Sequence, residues 1–139
     1  MADIVETVVN TGDFNTLIKA VEASGLLETI KGEGPYTLFA PTDDAFANLP
    51  AGTLDDLLAN IPKLKRIVAY HVAFGDVRSD DLAQIGEAQT VEGSVIAIAS
   101  VDGKFQVNGA NVLQTDILAD NGVIHIIDQV LMPALVVAE

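Results

Sequence analysis

Apolar positions recur at three- and four-residue intervals through the first half of the chain and at every second position through the rest. Ile4, Val5, Val8 and Val9 define one helical face, and Thr11-Gly12 supplies its stop. Asp13 is placed to cap a second helix, with Phe14, Leu17, Ile18 and Val21 on one face and Ser24-Gly25 at its end. Leu26, Leu27 and Ile30 continue as a short turn before the loop from Lys31 to Pro35. Tyr36 to Ala40 then reads as a strand. Pro41 must end it, because proline cannot donate to a ladder and holds the residue before it extended. Thr42 is placed to cap a helix whose first turn carries Asp43 and Asp44, with Phe46 and Leu49 returning to the core. Thr53 is expected to cap Leu54 to Asn60. Pro62 opens a further helix, carrying Leu64, Ile67 and Val68, that runs into Tyr70-His71-Val72.

After a cap at Ser79-Asp80-Asp81-Leu82 the period changes to two, which predicts strands at 88–92, 94–100, 104–107, 110–118 and 122–131. Asp102-Gly103 and Asn121-Gly122 are dipeptides that favour hairpin turns with positive φ. In the last strand Val123, His125 and Ile127 share one face, while Ile124, Ile126 and Asp128 share the other, with Asp128 at the wet end. The pattern predicts an α+β domain: a helical front packed on antiparallel strands.

The length, 139 residues, suits one domain over 1–139. Half the residues are apolar and only 5% aromatic, so the core must be built from Val, Ile, Leu and Ala. The longest apolar runs fall far short of the ~20 residues a membrane helix needs, so no membrane insertion is expected. The segment Met1-Ala2-Asp3-Ile4-Val5-Glu6 has no basic n-region and does not read as an intact secretory signal. A net charge of −13 disfavours nucleic acid and anionic lipid, predicts a monomer at neutral pH through self-repulsion, and points to cationic or neutral partners. No cysteine is present, which removes disulfides and thiolate metal sites.

Catalytic signatures such as a nucleophile elbow, a Walker loop or a zincin helix are missing. The carboxylate pairs Asp43-Asp44, Asp55-Asp56 and Asp80-Asp81 would suit general acid–base chemistry, but each sits at a predicted helix start, where first-turn charge complements the dipole. Asp116, Asp120 and Asn121 lack the alternating spacing of a calcium loop. His71 and His125 could form a metal pair or a proton relay. Their branched apolar neighbours favour neutral core histidines bonded to backbone. No cofactor or metal is expected.

Tyr36-Thr37-Leu38-Phe39-Ala40-Pro41-Thr42-Asp43-Asp44-Ala45-Phe46 and Asn121-Gly122-Val123-Ile124-His125-Ile126-Ile127-Asp128-Gln129-Val130-Leu131-Met132-Pro133 resemble the two signature boxes of the fasciclin (FAS1, beta-Ig-H3) domain. Between them Tyr70-His71-Val72 resembles that family's central Tyr-His element, and Asp116-Ile117 its Asp-Ile adhesion element. The likeness spans essentially the whole chain and is closest to bacterial single-domain members. It implies a wedge-shaped β-sandwich of about seven strands with several N-terminal and flanking α-helices, in which Phe39, Pro41, Thr42, Phe46, Asn121, Gly122 and His125 are structural. It also implies a non-enzymatic adhesion or extracellular protein-interaction domain, secreted, periplasmic or at the cell surface, with the cytoplasm left open. The partner would be a cell-surface or matrix protein or a glycan, met through Asp116, Ile117, Tyr70 and His71, unless Tyr70 and His71 only close the helix-to-strand junction. The alternative is a carbohydrate- or lipid-binding module using a groove between helices and sheet.

Overall fold

Six consecutive residues, Gly122 to Ile127, are all buried, the burial expected of a central strand covered on both faces. The computed structural model describes residues 3–12, 14–32, 35–48, 52–82, 84, 86–91, 93, 95–101, 104–108 and 110–131. In chain order these form α1 (Ile4–Thr11), α2 (Asn15–Ser24), α3 (Leu27–Ile30), β1 (Tyr36–Pro41), α4 (Asp43–Ala47), α5 (Thr53–Ala59), α6 (Ile61–Tyr70) and β2 (Val72–Phe74). There follow α7 (Ser79–Leu82), β3 (Glu87–Gln89), β4 (Val95–Val101), β5 (Lys104–Val107), β6 (Ala110–Ala119) and β7 (Gly122–Ile127).

The seven strands make one sheet in the order β2-β1-β7-β6-β5-β4-β3. Only β1 and β7 run parallel, in a register that sets Tyr36 opposite Gly122 and Phe39 opposite His125. The outer strands come together through an antiparallel bridge between Ala73 and Thr90 and a 2.8 Å bond from the Val91 amide to the Val72 carbonyl. The sheet therefore folds around an inner core, and alternate residues of its central strands point outward to the helices. Phe39 and Ile127 meet Ile96, Ile98 and Val107 inside. Leu38, Ala40, Ile124 and Ile126 meet α1, α2 and α6 outside through residues such as Ile4, Leu17 and Leu64. The period-two alternation anticipated for 123–128 is thus the partition between two cores.

The helix starts have separate causes. Thr42 Oγ accepts the Ala45 amide at 3.2 Å, as its position predicts. Asp13 lies outside the described residues. The N-terminus of α2 has Phe14 in the cap position with no side-chain bond, and Asp43 supplies the acceptor instead, taking the Thr16 amide at 2.9 Å. Burial pushes the Asp43 pKa up, but the bonds from Thr16 and Asn15 outweigh it and leave the carboxyl below its ordinary value. The cap position expected for Thr53 falls to Gly52, which takes the left-handed φ of 85°, and Thr53 is the first helical residue. Asn60 accepts the Lys63 amide at 3.3 Å, with Pro62 in the first turn of α6.

Three strand expectations change. Of the segment 88–92, Ala88 and Gln89 belong to β3, which begins at Glu87, Thr90 bridges to Ala73, and residue 92 lies outside the described residues. The last strand ends at Ile127 because the Asp128 carboxylate turns aside to accept the backbone amide and side-chain nitrogen of Asn111 at 2.8 and 3.0 Å. The Asn121-Gly122 pair is not a positive-φ turn: Ala119 opposite Gly122 puts Asp120 and Asn121 at the bend, and neither Asn121 nor Gly122 has positive φ. Close packing fixes the glycine instead. A Cβ there would overlap the Tyr36 carbonyl oxygen and lie 2.8 Å from Ile4 Cδ1. Asn121 is buried, and its Oδ1 accepts the Ile4 amide at 2.9 Å while Nδ2 donates to the carbonyls of Ile30 and Gly32 at 2.7 and 2.9 Å. Val101 and Lys104 pair across the other predicted turn, whose residues 102 and 103 lie outside the described set, as does Leu49.

Two substitutions test this frame by urea denaturation. Phe39→Ala, at a fully buried ring, is expected to cost ~3–5 kcal/mol; a loss under ~1 kcal/mol would contradict the inner-core register. Gly122→Ala is expected to cost ~1–3 kcal/mol or more, since the β1 carbonyl it meets belongs to the parallel pair; an unchanged midpoint would contradict the close approach.

Candidate functional site

Thr37 and His125 are the two polar residues with no exposed surface on the paired central strands β1 and β7. Both are used to hold the segment 75–78. The Thr37 hydroxyl donates to the Gly75 carbonyl at 2.7 Å and accepts the Val77 amide at 2.9 Å, so its one proton is committed. His125 Nε2 lies 2.6 Å from the Val77 carbonyl, which can only accept, so the proton sits on Nε2. That tautomer leaves Nδ1 as an acceptor, and it takes the backbone amide of Asp116 at 3.3 Å. The Phe39 ring lies against the imidazole with centroids 5.6 Å apart. Burial pushes the His125 pKa down, opposed by the Val77 bond and by the charges of Asp116 and Asp76.

Asp116 can reach His125 with its amide because β6 is irregular there. The register of β6 on β7 shifts between Gln114 and Ile117, and Asp116 has φ of 59°. Aspartate tolerates this left-handed conformation better than a branched residue. The bulge turns the Asp116 side chain to solvent while Ile117 packs against the helical core. On the pinned segment, Arg78 forms a forked pair with Asp76, Nε to Oδ1 at 3.0 Å and Nη2 to Oδ2 at 3.1 Å, and its amide donates to Asp81 at 3.2 Å. The Asp76 bond, followed by the charges of Asp76, Asp116 and Asp81, raises the Arg78 pKa further. One exposed surface thus carries Asp116, Asp76, Arg78 and Asp81. Of these, Asp116 stood out in the sequence by resemblance, and Asp81 only as a helix-start carboxylate. Asp76 and Arg78 carry a weaker signal, the polar interval between Phe74 and Ser79 that has no helical or strand period.

Tyr70 and His71 are engaged elsewhere and are buried. The Tyr70 hydroxyl accepts Asn108 Nδ2 at 2.6 Å and donates to the Val95 carbonyl at 3.4 Å, tying α6 to the ends of β4 and β5. His71 Nδ1 donates to the Ile67 carbonyl at 2.7 Å, and its Nε2 accepts the Leu131 amide at 2.9 Å. Burial, opposed by the Ile67 bond, pushes the His71 pKa down to about 4. Both histidines are therefore neutral backbone connectors, the reading their neighbours favoured. Asp55 and Asp56 lie in the first turn of α5, and Asp80 and Asp81 in that of α7. Asn121, its carboxamide already committed, is withdrawn from the imagined cation set. Among the described residues no three His, Asp or Glu side chains gather to hold a metal ion. No helix there is long and apolar enough to cross a membrane. Between α1, α2 and α3 a cavity of about 20 Å³ is lined by Val5, Val8, Leu17 and Val21.

The sheet closes on itself with helices over β1 and β7, and its buried polar side chains bond mainly to backbone. The likeness of this fold to a FAS1 domain pair from the insect cell adhesion molecule fasciclin I has a TM-score of 0.69 at 21% identity, over 88% of this chain and 46% of that one. The Fasciclin domain profile matches residues 12–133, and the chain belongs to that family. It is 48% identical over 132 residues to the uncharacterized protein sll1735 of Synechocystis, spanning 95% of this chain and 98% of that one. It is also 35% identical to transforming growth factor-beta-induced protein ig-h3 of Sus scrofa, over 96% of this chain and 20% of that longer protein.

The His71 environment yields a pH prediction. The unfolded chain binds the proton near 6.5 and the folded chain near 4, so between these values the unfolded state holds more protons and stability falls as pH falls. Denaturation from pH 6.5 to 4 should show a loss of about 3 kcal/mol from this group. A His71→Gln variant should lack that component of the slope. An imidazole NMR titration with a midpoint at 6 or above would contradict the geometry.

Proposed function

We propose that this fasciclin domain is a non-enzymatic adhesion module that works outside the cytoplasm, secreted, periplasmic or at the cell surface. Its contact surface is the β6 bulge: Asp116 and Ile117, with Asp76 and Arg78 beside them. The observation that carries this reading is the outward turn of the Asp116 carboxylate by a left-handed residue whose amide is held by His125. An exposed carboxylate meets a cationic or metal-bound partner group with little desolvation cost. The matched insect structure comes from a protein titled a cell adhesion molecule, which supports the same class. The partner is a cell-surface or matrix protein or a glycan. Tyr70 and His71 contribute by fixing the end of α6 to the ends of β4 and β5 and to the segment at Leu131. With a net charge of −13 and a sequence pI of about 4.2, the domain works as a monomer at pH 7. The alternative is the carbohydrate- or lipid-binding reading: the cavity of about 20 Å³ between the helices takes no more than a water-sized guest, so such a ligand would need an open groove such as the one of about 350 Å³ beside α6.

Asp116→Ala is expected to reduce bead or cell adhesion severalfold while the unfolding free energy stays within ~0.5 kcal/mol of the parent. Tyr70→Ala is expected to lose adhesion only together with stability. Full adhesion by Asp116→Ala, or loss of adhesion by unfolding alone, would overturn the assignment.

A further inference from the structure

Cations are scarce in this chain, seven against twenty acids, and they are unevenly placed. Lys63, Lys65 and Arg66 fall within one turn of α6, a helix with no acidic residue. The core stripe of α6 is Leu64, Ile67 and Val68. Pro62, Lys65, Arg66 and Ala69 follow the other helical spacing, three, four and seven residues on, and so make a second stripe along one side. That stripe borders a groove of about 350 Å³ completed by Leu26 and Val91. Leu26 and Ala69 are buried and Val91 half-buried, so they form an apolar floor; Pro62, Lys65 and Arg66 are exposed and form the rim.

We infer that this α6 groove is a docking site for an acidic peptide segment of a partner protein, with one apolar side chain on the Leu26, Ala69 and Val91 floor and flanking carboxylates on Lys65 and Arg66. Charge complementarity selects the occupant. A short acidic segment meets the positive field locally, because charges beyond about 8 Å are screened at physiological ionic strength. A long polyanion would lie across the acidic remainder of a surface of net charge −13 and be repelled. The apolar floor gives a peptide side chain a purpose that a uronate or sulfate chain cannot use. A second copy of the domain brings its own −13 to the encounter. The groove is separate from the Asp116 surface and does not depend on it.

The test uses the whole domain and a short labelled peptide with one leucine flanked by glutamates, followed by fluorescence anisotropy at low and physiological salt. Saturable binding is expected, weakening with salt and falling about tenfold or more for Lys65→Glu with Arg66→Glu. A peptide with serine in place of leucine should also bind severalfold more weakly. Since the substituted positions are exposed, the variant's unfolding midpoint should match the parent's; if the double reversal unfolds, Lys65→Gln with Arg66→Gln gives the same comparison with less perturbation. Absence of saturable binding by the parent, equal binding by the charge variants, or equal binding of the serine peptide would overturn the proposal. So would tighter binding of polygalacturonate than of the peptide, or a salt-sensitive dimer in sedimentation that Lys65→Glu abolishes, which would assign the groove to a glycan or to a second copy.

Discussion

The carboxamide of Asn121 joins segments that lie far apart in the sequence. Its oxygen accepts the first amide of α1, 117 positions away, and its nitrogen donates to the last carbonyl of α3 and to Gly32 beyond it. Its own carbonyl accepts the Tyr36 amide that begins β1. Each partner is a helix- or strand-end group with no ladder bond of its own, and burying such a group unpaired costs ~1–3 kcal/mol. One side chain thus satisfies the ends of two helices. The adjacent Gly122 lets β1 approach closely enough for the arrangement to exist. The ends of α1 and α3 are thereby fixed against the start of β7.

The same device recurs at three other buried polar residues. His125 joins β7 to the segment at Val77 and the bulge of β6, His71 joins α6 to Leu131, and Thr37 holds the segment 75–78. No buried side-chain nitrogen or oxygen among the described residues lacks a partner. Both histidines have one nitrogen donating to a carbonyl and one accepting from an amide, a bonding pattern that only the neutral ring satisfies. The consequence is that both histidines, the side chains that titrate nearest neutrality, are committed to backbone connections.

Much of this was legible in the chain. Helical and strand periods located α1, α2, α6 and the strands of the second half, and Thr42 gave the start of α4, because these features are local. The faces of 123–128 were readable for the same reason. The failures are non-local. Asn121-Gly122 carries the letters of a hairpin turn, yet its requirement is set by Tyr36 and Ile4, which are distant in sequence. The cap of α2 comes from Asp43 on another helix. At the candidate surface, Asp116 was found by resemblance, but Asp76 and Arg78 join it only because Thr37 and His125 pin their segment, which no spacing encodes.

The parallel pairing of β1 with β7 also orders events in time. β1 lies near the first quarter of the chain and β7 close to its end, so the central pair of the sheet cannot form until almost the whole chain is available. Loop closure over such a span must precede any gain from the contact, which slows folding relative to a helical bundle of equal size. During synthesis, the helices and β1 emerge first, with Leu38, Phe39 and Ala40 lacking the strand that later covers them. The pairing of β1 with β7 therefore waits for residues 122 to 127, and until they arrive the apolar side chains of β1 lack their partner strand, the kind of exposed surface that promotes aggregation.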